Sequence, residues 1–140
     1  MATENEKIVR AFIDASSSED YEKVENYLSD DFVCDEVPTG KVCHSKKEFI
    51  EFLRLVHTEF PDHKWEAKSI ISSDNKVAVE SLWNGTFSHC DDPDRPATNK
   101  HATLRSVEIL ELCEGKICRF TDYFDLSSML KQLDASSLQK

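Results

Sequence analysis

The chain has 140 residues, of which 39% are hydrophobic and 31% are charged, and it contains only three Gly and four Pro. This length allows one domain with a sizeable core and excludes two, while the composition excludes long disordered stretches. With 17 Lys and Arg against 27 Asp and Glu, the net charge is −10, which argues against nucleic acid and anionic membranes as partners.

Two helices are predicted at the N-terminus. Apolar residues recur at helical spacing from about Glu4 until the serines at 16–18 interrupt the pattern. Ser18 is predicted to cap a second helix, because a serine hydroxyl can accept hydrogen bonds from the free amides of a first turn. The apolar face of that helix is predicted to hold Val24, Tyr27 and Leu28.

A short strand and a third helix follow. Residues 30 and 31 are both Asp and end the second helix, and residues 32–37 are predicted to form a strand that turns at 38–40. Ser45 and Glu48 form a capping box, the strongest helix-start signal in the chain. Apolar residues continue at helical spacing until Pro61 ends the third helix.

From residue 64 onward the hydrophobic period changes to two, which predicts strands. The predicted segments are strands at 65–71, 77–87, 101–113 and 117–124, a loop at 89–99, and a last helix capped by Asp125. The order α-α-β-α-β-β-β-β-α is typical of an α+β fold, in which helices cover one face of an antiparallel sheet. If that sheet is strongly curved, a pocket remains between the two layers.

Three local motifs add a family resemblance to this order. They are Glu-Phe-Pro-Asp at 59–62, Trp-Asn-Gly-Thr at 83–86, and Gly-Lys-Ile at 115–117 leading to Asp-Tyr-Phe-Asp at 122–125. The chain resembles the SnoaL-like polyketide cyclases of the nuclear-transport-factor-like superfamily, which also includes ketosteroid isomerases and limonene epoxide hydrolases. The resemblance covers residues 1–140 as one domain. It implies a cone-shaped half-barrel with an apolar cavity, and a homodimer formed through the open sheet.

Asp122 is the principal candidate for catalysis. On a regular strand it shares a face with Phe120 and Phe124, which places a carboxylate between two aromatic rings. Loss of water would raise its pKa and allow it to exchange a proton with a carbon next to a carbonyl group. The resemblance implies this role, since SnoaL-like cyclases use an Asp at the matching position in an aldol closure. Alternatively, Asp122 faces solvent or a dimer partner, or pairs with Arg105 or Arg119.

Further site residues are predicted on the two preceding strands. His101 and Arg105 share one face with Thr103 and could form a polar wall opposite Asp122 that holds a substrate oxygen. Trp83 and Phe87 share a face of the neighbouring strand and could line a cavity. Alternatively, His101 and Arg105 are structural, and the two aromatic residues belong to the core.

The faces of the strand at 101–113 are ambiguous. Val107 and Ile109 continue the His101 face, whereas Leu110 and Leu112 lie on the other. This pattern predicts either a β-bulge near Glu108 or burial of both faces.

Several functional classes lack their usual signatures. No Cys-x-x-Cys or His-x-x-x-His pair indicates a metal site, and with three Gly there is no nucleotide-binding loop, so we expect no metal and no cofactor. The Arg-x-Asp unit of limonene epoxide hydrolases is missing at 105–107. No apolar run approaches the roughly 18 residues of a membrane span and no basic leader precedes the first helix, so we expect a cytoplasmic protein.

The five cysteines are predicted to be reduced thiols, because they are odd in number and widely spaced. Two hairpins could nevertheless place Cys34 opposite Cys43 and Cys113 opposite Cys118, and a bridge within either pair is geometrically conceivable.

Two functions therefore stay open. In the first, the chain is a polyketide cyclase-like or steroid isomerase-like enzyme that uses Asp122 on a small hydrophobic carbonyl compound. In the second, it is a non-catalytic module of the same fold that binds a small molecule or another protein.

Overall fold

Ten elements make up the computed structural model, which describes residues 2–138. The helices are α1 (Glu4–Ser17), α2 (Tyr21–Asn26), α3 (Lys46–Glu59) and α4 (Leu126–Leu133). The strands are β1 (Leu28–Glu36), β2 (Lys41–Cys43), β3 (Lys64–Ser73), β4 (Lys76–Thr86), β5 (His101–Cys113) and β6 (Lys116–Phe124). The predicted α+β order is confirmed, with the short strand β2 as an addition.

One curved six-stranded sheet, not closed into a barrel, runs in the order β2-β1-β6-β5-β4-β3. Every pairing in it is antiparallel except that of β1 with β6, which is parallel. The helices pack against the sheet, with α1 on β3, α3 on β1 and α4 on β5. The parallel pairing joins two strands that are far apart in sequence, and it brings the end of β1 beside the end of β6.

The helix starts follow local side-chain capping. Ser45 Oγ accepts a hydrogen bond from the Glu48 amide at 3.1 Å, which confirms the predicted start of α3. The predicted cap of α2 is wrong. Asp20 caps this helix by accepting from the Lys23 amide, while Ser18 forms the C-terminal cap of α1. The predicted cap of α4 is confirmed, since Asp125 Oδ1 accepts from the Ser128 amide at 3.0 Å.

Two apolar clusters form the core. The first lies between α1, α3 and the sheet, where the rings of Phe12, Phe32, Phe49 and Phe120 contact one another with centroids 5.1 to 6.1 Å apart. The second lies under α4 and contains buried Phe60, Phe87, Leu104, Met129 and Leu133. Such rings bury large apolar areas and favour tilted or edge-on contacts. The sheet bridges the two clusters.

Inward-facing and outward-facing residues alternate without interruption along β5. Its even-numbered residues from Ala102 to Leu112 face inward, and its odd-numbered residues face outward. The register with β4 is continuous from His101 to Glu111. The predicted bulge near Glu108 is therefore wrong, because the only shift in the pairing with β6 falls after Glu111.

One cysteine pair is bonded. Cys113 and Cys118 form a disulfide, so the prediction that all five cysteines are free thiols is wrong for this pair. Cys34 and Cys43 lie opposite each other in β1 and β2, as predicted, and remain free and buried. Of the helices between residues 2 and 138, none combines the length and apolarity needed to cross a membrane.

Candidate functional site

A pocket opens between the sheet and helices α3 and α4, where the two core clusters meet. Its volume is about 130 Å³, comparable to an engineered cavity of about 150 Å³ that holds benzene. Most of its wall is apolar and comes from Phe49, Phe52, Leu53, Leu55, Val56, Phe60, Trp65, Trp83, Leu104, Phe120, Phe124, Met129 and Leu138. The interior therefore has room for about one ring of a hydrophobic molecule.

Three carboxyl groups from adjacent strands line this apolar pocket. Asp122 of β6 is the register partner of Glu108 in β5 and of Glu36 in β1. Because side chains of laterally paired residues leave the sheet on the same face, the three groups form a row across it. We call Glu36, Asp122 and Glu108 the carboxyl row.

Glu108 is fully enclosed, with only 1% of its surface exposed. Its Oε1 accepts hydrogen bonds from Ser81 Oγ and from Trp65 Nε1, the latter at 3.3 Å. Burial raises the pKa of Glu108, while donors on Ser106, Ser81 and Trp65 oppose that rise by stabilising the ionised form.

Glu36 is also buried, with 7% of its surface exposed. Thr39 Oγ1 donates to its Oε1 at 2.7 Å across the turn that follows β1. Burial raises the pKa of Glu36, and this hydrogen bond together with the charge of Lys41 acts in the opposite direction.

Fewer hydrogen bonds and positive charges stabilise the ionised form of Asp122 than stabilise the ionised forms of Glu36 and Glu108. Its Oδ1 is shielded from solvent and has no hydrogen-bond partner within the part of the chain that the structure describes. Burial, then the negative charges of Glu108 and Glu36, raise the pKa of Asp122 well above its usual value. A hydrogen bond between the Asp122 and Glu108 carboxyls also favours protonated Asp122. Asp122 is therefore the member of the row that holds a proton most firmly.

The remaining ionisable groups of the pocket are compensated or neutral. Glu59 at the end of α3 forms a buried ion pair with Arg95, with 3.4 Å between Oε1 and Nη2. His63 stacks on Trp83, and burial lowers the pKa of the imidazole, which favours its neutral form. No group of three or more His, Cys, Asp or Glu side chains within residues 2–138 could hold a metal ion.

The structure brings four of the predicted site residues together. Asp122, Trp83, Phe120 and Phe124 all line the pocket. Phe87 does not line it, because its ring is 1% exposed and stacks on Phe60, whose own ring forms the wall, with 5.5 Å between the centroids.

The predicted polar wall opposite Asp122 is wrong. His101 and Arg105 lie on the exposed outer face of β5, because odd and even positions of a strand point to opposite faces and Glu108 is the even-numbered partner of Asp122. His101 Nδ1 instead lies 2.8 Å from Thr86 Oγ1 and 3.8 Å from Asp62 Oδ2 at the surface.

Sequence reasoning missed Glu36 and Glu108. A signal for Glu108 existed, since each of the other even positions of β5 holds an apolar residue or a serine, namely Ala102, Leu104, Ser106, Leu110 and Leu112. An ionisable residue on the buried face of a strand is unusual enough to mark a site.

The comparisons with known proteins agree with this architecture. A family model described as SnoaL-like polyketide cyclase matches residues 6–133. A candidate SnoaL-like polyketide cyclase from Shewanella putrefaciens CN-32 superposes with a TM-score of 0.84 at 14% identity, over 96% of this chain and 98% of the other. No protein of the curated set has a matching sequence.

Two further solved structures have the same fold. An LEH-like epoxide hydrolase from M. tuberculosis gives a TM-score of 0.74 at 22% identity, covering 93% of this chain and 89% of the other. An NTF2-like protein from Burkholderia pseudomallei K96243 gives 0.78 at 22% identity, covering 94% and 98%. Likeness at these identities establishes the fold and leaves the reaction to the residues of the site.

Proposed function

The chain belongs to the SnoaL-like polyketide cyclase family, and we propose that it is a cofactor-independent cyclase or isomerase in which Asp122 moves a proton on a small hydrophobic carbonyl compound. The observation that carries this proposal is the buried Oδ1 of Asp122, which has no hydrogen-bond partner among residues 2–138 and belongs to a carboxyl that lines an apolar pocket. A carboxyl of this kind has the raised basicity that removal of a proton from carbon requires.

The hydrogen bonds of the carboxyl row assign different roles to Glu108 and Asp122 in this proposal. Ser81 and Trp65 donate to Glu108 and favour its ionised form. Among residues 2–138, Asp122 has no such donor at Oδ1, and in the proposal it is the group that gains and loses the proton. In the proposed step, ionised Asp122 takes a proton from the carbon next to the carbonyl and then returns it to carbon or oxygen.

The developing negative charge on the carbonyl oxygen needs a donor inside the pocket, since His101 and Arg105 lie outside it. In the proposal this donor is Ser106, whose single O–H turns from the Glu108 carboxyl to the substrate oxygen while Ser81 and Trp65 continue to donate to Glu108. Its side chain belongs to the inward face of β5, lines the pocket, and lies two residues from Glu108. A hydroxyl aimed at the oxygen would strengthen its hydrogen bond as charge develops.

Exchange of α-hydrogens tests this proposal without knowledge of the natural substrate. Phenylacetone carries one aromatic ring beside a ketone and fits the size of the interior. In D2O, the protein is expected to accelerate loss of its benzylic proton signals over the rate in buffer of the same carboxylate content. Binding of phenylacetone without any acceleration would instead support the non-catalytic binding module.

A homodimer is the second part of the proposal. The outer face of the sheet exposes Val107 (39%) and Tyr123 (46%), which are cross-strand partners, next to Ile109 and Leu82 on the same face. Exposed apolar and aromatic side chains of this kind, here interspersed with Glu80 and Arg105, are enriched at interfaces, and a sheet face can pair with itself in a two-fold dimer.

Val107→Glu is expected to convert the dimer to a monomer, because it places two buried charges near the two-fold axis. Light scattering after size exclusion should then report 16.0 kDa in place of twice that mass. Val37→Glu is the matched control, since Val37 is 44% exposed but lies in the turn after β1. A wild-type protein that already runs at 16.0 kDa would contradict the homodimer.

A further inference from the structure

The charge of the pocket lining restricts the chemical class of the ligand more than the shape of the pocket does. We propose that the ligand is a hydrophobic amine, bound as a cation, so that the carbonyl substrate of the proposed function also carries a basic nitrogen. This inference rests on the proposed function and concerns the same pocket. It starts from the observation that the described polar lining is acidic and contains no Lys or Arg.

Of the described residues that line the pocket, none is Lys or Arg. Glu59 already has its counter-charge in Arg95. Glu36 has Lys41 near it, but the Lys41 ammonium stands over the Phe52 ring and is absent from the pocket lining. Among the described residues, Glu108 and Asp122 therefore face the pocket without a cation, so ionisation of both members of this hydrogen-bonded pair is costly while the pocket is empty.

A second observation points to a donor that the protein itself does not provide. Asp122 Oδ1 is buried and has no hydrogen-bond partner in the described chain, although buried acceptors in native proteins nearly always have one. An ammonium group supplies several N–H donors together with the missing positive charge. A neutral carbonyl oxygen can only accept and cannot satisfy Oδ1 while Asp122 is ionised.

The aromatic walls suit the same ligand. Trp65 packs edge-on against Phe120 with 5.8 Å between ring centroids, and Trp83 packs edge-on against Phe60 at 5.1 Å. Indole and phenyl faces attract alkylammonium groups, and the attraction grows when water is excluded. Aromatic rings and uncompensated carboxyl groups together select for a cation with an apolar body and against an anion.

Isothermal titration calorimetry with three matched probes tests the inference. Benzylamine, benzyl alcohol and benzoate have the same ring and differ in charge. Benzylamine is expected to bind at least about tenfold more tightly than benzyl alcohol, and benzoate is expected to bind more weakly than either. Equal affinity for benzylamine and benzyl alcohol, or no binding of benzylamine, would overturn the inference.

Variants locate the interaction. Glu108→Gln is expected to weaken benzylamine binding about tenfold and to weaken benzyl alcohol binding by less, and circular dichroism shows whether the variant is folded. Glu80→Gln, on the exposed outer face of β4, is the control and should change neither affinity. If benzylamine has no advantage but phenylacetone still exchanges its α-hydrogens, the amine class is wrong and the acid–base proposal stands.

Discussion

Replacing Asp122 with Asn is expected to slow the exchange of phenylacetone α-hydrogens by about 10²- to 10⁴-fold, the usual contribution of a positioned general base. Asn has nearly the same shape but no basic oxygen, so the pocket keeps its form and loses its proton acceptor. NMR signal loss in D2O measures the rate for both proteins under the same conditions.

Asp14→Asn is the matched control for this experiment. Asp14 is an exposed residue on α1, and the same chemical change there should leave the exchange rate unaltered. Circular dichroism shows whether each variant is folded. A folded Asp122→Asn protein with full exchange activity would refute Asp122 as the proton-transfer group.

The same Asp122→Asn variant is expected to be more stable than the parent protein at neutral pH. The pKa of Asp122 is raised in the folded state by burial and by the charges of Glu108 and Glu36. The folded state therefore binds this proton more tightly than the unfolded state, and stability falls as pH rises from the unfolded value of about 3.9 through the folded pKa. Each pKa unit of that rise corresponds to about 1.4 kcal/mol lost from the parent above the folded pKa.

Urea unfolding at a series of pH values measures this difference in free energy of unfolding. The advantage of Asp122→Asn should be small at about pH 3, below the unfolded value of about 3.9, because Asp122 is then protonated in both states, and it should grow toward pH 8. The free energy of unfolding of Asp14→Asn should equal that of the parent protein at every pH. A variant that is less stable than the parent at every pH would show that ionised Asp122 stabilises the fold, contrary to this account.

The elements that sequence predicted best are those whose signals are local. Ser45 and Glu48 lie three residues apart, and the hydrogen bond that starts α3 joins them directly. Asp125 likewise caps α4 through the Ser128 amide three residues ahead. Such contacts join residues three positions apart, so the sequence indicates them without knowledge of the rest of the fold, although Ser18 was predicted as the cap of α2 where Asp20 takes that place.

The carboxyl row could not be predicted in the same way. Glu36 becomes the neighbour of Asp122 only because β1 pairs with β6, and no local pattern specifies a parallel pairing between strands so far apart in the chain. Glu108 was open to prediction, but the outer residues Val107 and Ile109 are also apolar, which obscured which face of β5 is buried. Their hydrophobicity reflects the outer face of the sheet, where the dimer is proposed.

The most direct measurement is an NMR titration of the Asp122 side-chain carboxyl in the unliganded protein, with Asp122→Asn used to assign its resonance. The account predicts a pKa well above the ordinary value of about 3.9, because the carboxyl is buried beside two others. A normal or lowered pKa would mean that Asp122 is solvated or paired with a cation in solution. That result would contradict proton transfer by Asp122 and favour the binding module.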